Sequence, residues 1–222
     1  MPIYSGIWTR TQQMQAIAAG TWTSPPPTTI GQAYGGGYYG GKINVSGTQY
    51  YLVVADKTVG EIQGAWGTNS VFTGVTSVIN GPTNSATLAA LGSAYAAATF
   101  CEGLNSGGYT DWYMPALNEL EVLYYFLKID NTANNTSSGS NANAVSPEPI
   151  STNYTSGSPS QTTATNFRLG ASSQEFAAYT YWVSTDVDAS TAWQQSFNTG
   201  HQANGNPKQY SNYTRAIRRV AV

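Results

Sequence analysis

Apolar positions in this chain fall into short clusters separated by long polar stretches. The clearest helical stripe is Leu117, Leu120, Tyr124 and Leu127, which predicts a helix over 117–127 with one buried face. Ala116 stands where a capping serine or threonine is expected, while Glu119 holds the partner position of a capping box. A second stripe, Leu88, Leu91, Tyr95, Ala97, Phe100, Cys101 and Leu104, predicts a helix over 85–104, capped by Asn84 and stopped at 105–108. A short helix over 6–17 can place Ile7, Met14 and Ile17 on one face.

Strands are predicted by runs of another kind. Residues 42–45 and 50–55 flank a Ser46-Gly47-Thr48 turn and read as a hairpin. Leu52, Val53, Val54 and Ala55 are apolar without alternation, so this strand is expected to be central and covered on both faces. Further strands are expected at 179–184, 192–197 and 213–222, with polar turns at 186–190 and 199–209. The 61–78 stretch is glycine-rich and reads as loop with one short strand, and 131–165 reads as a long irregular loop of low complexity. Ser24-Pro25-Pro26-Pro27 forms a stiff, extended spacer. The chain therefore divides into a segment over 1–30 and one domain over 31–222.

Composition changes this picture in one respect. Charged residues make up 9% of the 222, so solubility must come from Asn, Ser, Thr, Gln and Tyr. A net charge of −2 offers no field for nucleic acid. Cys101 is the only cysteine, which excludes an internal disulfide. No stretch approaches the ~20 apolar residues of a membrane helix, and residues 1–10 lack the order of a signal peptide. The expected route is synthesis in a cytosol, then release by lysis or assembly into a particle.

The run Gly107-Gly108-Tyr109-Thr110-Asp111-Trp112-Tyr113-Met114-Pro115, with Glu119-Leu120, resembles the signature of a C-type-lectin-like family whose members are often described only as a domain of unknown function. Tyr181-Trp182-Val183-Ser184-Thr185, Ala192-Trp193 to Phe197 and His201, and Arg215-Ala216-Ile217-Arg218-Arg219-Val220 resemble later blocks of that family in the same order. The resemblance implies an α+β fold over 36–222: paired N- and C-terminal strands, two helices flanking a small antiparallel sheet, and long irregular loops that hold the ligand site. Trp8-Thr9, Gln15-Ala16 and Ala19-Gly20-Thr21-Trp22 resemble a short segment of bacteriophage tail-associated proteins. Trp8, Gln12 and Trp22 would then serve attachment to other virion tail proteins, and related phage proteins suggest a homotrimer.

Candidate chemistry is sparse. His201, the only histidine, has no orienting partner nearby in sequence and reads as a loop residue, or as a ligand contact. Cys101 reads as a small buried hydrophobe; the formylglycine-generating enzymes of similar fold need a cysteine pair, which this chain lacks. Asp186 and Asp188 flank a turn, where calcium binding competes with bonding to their own backbone, and the second is the better expectation. Asp111, Trp112, Pro115 and Glu119 are expected to be structural, with Asp111 tying the glycine turn or pairing an arginine of the last strand. Arg215, Arg218 and Arg219 are likewise expected to pair the few acids. No acid, base and nucleophile come together, so neither catalysis nor a cofactor nor a metal is expected.

What remains is a set of neutral aromatic and amide side chains: Tyr179, Trp193, Asn198, His201, Asn204, Asn206, Tyr210, Asn212 and Tyr213, in or beside the final turns. Tyrosine and tryptophan supply rigid contact area, and asparagine adapts its hydrogen bonds. In related phage proteins such loops can be hypervariable, a second explanation for this composition. The expected function is a virion receptor-binding or tail-fibre protein that attaches to a host cell-surface glycan or protein. The alternatives are a purely structural virion component and a bacterial adhesin.

Overall fold

A computed structural model describes residues 9, 11, 25–170 and 174–222. The predicted hairpin is present and longer than expected: β2 (Gly37–Val45) pairs antiparallel with β3 (Thr48–Val54), preceded by the two-residue β1 (Ala33–Tyr34). Gly40 lets this ribbon meet a helix closely, since a Cβ there would lie 2.4 Å from Leu123 Cδ2. Leu52 and Val54 enter one core cluster, and Val53 enters a second with Ala55. The unbroken apolar run therefore serves two faces, as expected of a central strand.

After β3 come a one-turn helix α1 (Lys57–Gly60), capped by Asp56 through Thr58 N at 2.9 Å, and then β4 (Glu61–Ala65). The expected helix over 85–104 is two helices, α2 (Gly81–Ala90) and α3 (Ala96–Glu102). The break lies at Gly92, whose φ of 97° lies outside the helical region, and Leu91 is exposed. Asn84 does not cap; it sits inside α2, buried, and donates to Ser77 O at 2.7 Å. The other helix, α4 (Leu117–Leu127), has the predicted bounds.

Five strands form the second sheet: β4, β5 (Thr180–Asp186), β6 (Thr191–Ser196), β7 (Gln202–Pro207) and β8 (Ser211–Arg215), in the order β4-β8-β5-β6-β7. The first sheet has the order β1-β2-β3-β9, closed by β9 (Ile217–Ala221). The expected single strand over 213–222 is thus two strands in different sheets, switching at Ala216. Its partner ribbon switches beside it. Ala55 N bonds to Ala216 O at 3.0 Å, and Ala216 N to Gly60 O at 2.8 Å. Residues 214–218 are all buried, so no alternation marks the break in the sequence.

The fold is α+β, but more elaborate than a small sheet with two flanking helices. The last strand lies beside β3 rather than beside the first strand, although both ends share one sheet. Two clusters form the core. One joins α4 to Phe167, Phe176, Tyr181 and Phe197; the other joins α2 and α3 to Trp66, Trp112 and Trp182. The domain also begins before residue 31: Pro27 is buried, and Ile30 packs against the first cluster.

Candidate functional site

The signature region is a structural clamp. Asp111 holds Arg218 by two hydrogen bonds, at 2.6 and 2.8 Å, and that guanidinium lies 3.7 Å from the centroid of Tyr109. Trp112 is buried and its indole N–H donates to Ser106 O and Tyr109 O, closing the glycine turn between them. Gly107 is required there: a Cβ would lie 2.3 Å from Gly36 O. Pro115 is buried and its carbonyl accepts from Ser184 N at 2.8 Å, tying the motif to β5.

Glu119 is fully buried and heavily bonded. It accepts from Ala116 N at 2.8 Å and from Gly81 N at 3.2 Å. Its other oxygen accepts from Tyr113 OH at 2.6 Å and from Arg219 Nε at 2.7 Å. This is half a capping box, since the Ala116 side chain has no acceptor. Burial pushes the Glu119 carboxyl up against the opposing pull of Arg219. With Arg215 paired to Glu61 at 3.0 Å, all three arginines of the tail take acids, as expected.

The two aspartates of the 186–190 turn have different roles. Asp188 accepts from Ser190 N and Thr191 N, both at 2.7 Å, which is the expected turn chemistry, and these bonds hold its carboxyl below the usual range. Asp186 is instead buried against Lys208, at 2.7 Å. Thr73 and Val187 satisfy its remaining lone pairs, and the Lys208 ammonium also donates to Val71 O and Asp188 O. Sequence reading missed Lys208 because it follows proline in a polar stretch with no apolar pattern around it. Among the described residues, no group of three His, Cys, Asp or Glu is placed to hold a metal.

Cys101 is fully buried, and burial raises its thiol well above the usual range, so it is no nucleophile. His201 is exposed in the β6–β7 turn; its carbonyl accepts from Ser196 N at 2.9 Å.

The nine candidate residues gather on or beside the five-stranded sheet, but not on loops alone. Most of the expected 199–209 turn is the edge strand β7, which carries Asn204 and Asn206. Trp193 lies in β6, and Asn212 and Tyr213 lie in β8. Trp193 and Tyr213 are half-buried and pack against the first core cluster. Asn206 and Asn212 are half-buried too, and both donate to Gln194 Oε1. Gln194 was not anticipated; its only signal is an amide pair, Gln194-Gln195, inside a strand pattern. Asn198 is half-buried in the β6–β7 turn and donates its backbone N–H to Ser196 Oγ at 3.2 Å. Tyr179, His201, Asn204 and Tyr210 are exposed. The Tyr179 ring stacks on Tyr213 at 5.8 Å, and Tyr213 in turn lies 5.5 Å from Tyr181.

Trp8, Gln12 and Trp22, the expected attachment residues, lie outside the described residues. Among the described residues no helix is long and apolar enough to cross a membrane. Comparison with models of protein families, with curated proteins and with solved structures found no match.

Proposed function

We propose that this chain is a recognition module of a bacteriophage particle, with a C-type-lectin-like fold, that binds a host-surface glycan or protein through uncharged aromatic and amide side chains. One observation carries the reading. Tyr179 and Tyr210 stand 66% and 53% exposed beside the five-stranded sheet, with His201 and Asn204 also exposed. The charges buried beneath, Lys208 with Asp186 and Arg215 with Glu61, are paired internally. That leaves flat, neutral rings on a rigid base. Tyrosine gives contact area at low entropic cost, and stacking on Tyr213 holds the Tyr179 ring in place before a ligand arrives. The lectin-like reading expects paired terminal strands, whereas β1 and β9 stand at opposite edges of one sheet; the long irregular 131–165 segment and the α+β layout are what support it. In this reading the residues ahead of Pro27 attach to other virion tail proteins and three copies assemble.

The test is adsorption of the labelled protein to a panel of bacterial cells and isolated surface polysaccharides. Wild type should bind saturably and compete with phage, and the double variant Tyr179→Ala, Tyr210→Ala should lose at least about tenfold in affinity while keeping its melting temperature. No saturable binding to any cell or polysaccharide would leave the structural-component reading in its place.

A further inference from the structure

Charges buried in the ion pairs have partners of opposite sign, but one buried pair is of like sign. Glu121 of α4 and Glu148 of the 131–165 segment are fully and almost fully buried, and both border Tyr154, whose hydroxyl donates to Glu121 at 2.7 Å and which lines one cavity together with Glu148. Among the described residues, no ion pair reaches either one. We propose that Glu121 and Glu148 share a single proton, and that this proton clamps the 131–165 segment onto α4.

The donors around the pair decide where the proton resides. Glu121 accepts from Asn141 Nδ2 at 2.6 Å and from Tyr154 OH at 2.7 Å, bonds that favour a carboxylate. Neither Glu148 oxygen receives a bond from an N–H or O–H donor, and neither is open to water. Two carboxylates in such a site repel, while one carboxyl donating to one carboxylate satisfies both. Glu148 is therefore the acid and Glu121 the base. Burial, then the bond to Glu121 and its charge, pushes the Glu148 carboxyl far above the usual carboxylate range. Burial also raises Glu121, against the bonds from Glu148, Asn141 and Tyr154.

The groups facing the pair are all neutral. Tyr125 comes from α4, Asn141 and Tyr154 from the segment, and Gln195 from β6, donating to Tyr154 OH at 3.2 Å. Burial raises both tyrosines above their ordinary value, so neither titrates near neutrality. A cavity of about 80 Å³ lies beside Glu148, lined by Tyr125, Tyr154, Thr152 and Ser158.

The linkage has a definite sign. A carboxyl raised on folding contributes its full stability below the unfolded value, and that contribution is lost as pH rises towards the folded value. Between those limits, opening the segment releases one proton, so its opening constant should grow about tenfold per pH unit. Hydrogen exchange of the Tyr154 and Asn134 amides, bonded to Ser138 O and Ser156 O, reads this opening once corrected for intrinsic rates. Wild-type protection should fall about tenfold per unit between pH 6 and 8, and in Glu148→Gln, whose amide supplies a permanent donor, it should stay flat. The side-chain carboxyl carbon of Glu148, followed by NMR in the full wild-type chain, should remain at its protonated position at pH 7. That readout holds even if the variant fails to fold. An ionised Glu148 at pH 7, pH-independent protection in wild type, or calcium raising protection at pH 8 in wild type alone would each overturn the proposal. The calcium result would identify the site as a metal site.

Discussion

Asparagine plays opposite parts in two regions of this molecule. In the 131–165 segment, Asn134 and Asn141 are buried with their side-chain amides fully used. Asn134 accepts from Tyr124 OH at 2.7 Å and donates to Thr155 O and Pro159 O at 3.0 and 2.9 Å. Asn141 donates to Asn118 O and Glu121, and accepts from Asn143 N at 2.9 Å. In the edge strand β7, by contrast, Asn204 is exposed, and Asn206 only half so. The low-complexity stretch is therefore a set of fitted latches that replace the missing ladder of a sheet. The surface beside β7 is where the recognition proposed above would take place. Composition is the same in both, and burial separates them.

Substitutions test this contrast by size of effect. Asn141→Ala should be the most damaging, at about 3 kcal/mol in denaturant unfolding, because it strips a donor from the buried Glu121 and from Asn118 O. A cost under about 1 kcal/mol would mean the segment is held elsewhere. Asn134→Ala should cost about 2 kcal/mol by leaving the Tyr124 hydroxyl unpaired and removing one donor each from Thr155 O and Pro159 O, which keep Ser158 N and Lys128 Nζ, with faster amide exchange confined first to 131–165. Gln194→Ala should cost about 1 kcal/mol by freeing the amides of Asn206 and Asn212, and it should weaken ligand binding if those amides need fixing. Asn204→Ala should change stability by less than about 0.5 kcal/mol while lowering adsorption to cells. A large stability loss there would erase the contrast between the two regions.

Parts of the structure were legible before folding was considered. The 117–127 helix was, because Leu117, Leu120, Tyr124 and Leu127 repeat at the helical period and all reach one core. That the tail arginines would take acids was too, although which acid each takes, and whether Asp111 serves the glycine turn or an arginine, was decided only by the structure. The break at Gly92 was not, since Leu91 and Tyr95 continue the helical spacing although only Tyr95 is buried. Nor was the edge strand β7, whose Gln202-Ala203-Asn204-Gly205-Asn206-Pro207 lacks any strand signature. It is a strand because β6 offers it hydrogen bonds at Gln194 and Gln195. For the same reason, the nine site candidates read as residues in or beside the final turns, and neither the places of five of them in β6, β7 and β8 nor their division into exposed and half-buried side chains was legible.

The sequence by itself determined the local periods, the neutral surface and the scarcity of charge, because these depend only on which residue types follow one another. Tertiary structure alone decided that one tail strand serves two sheets through Ala216, that Lys208 is buried, and that Glu121 and Glu148 are both buried with no ion pair to either among the described residues. Each of these joins residues far apart in the chain, and their cost or benefit exists only once water has been excluded between them.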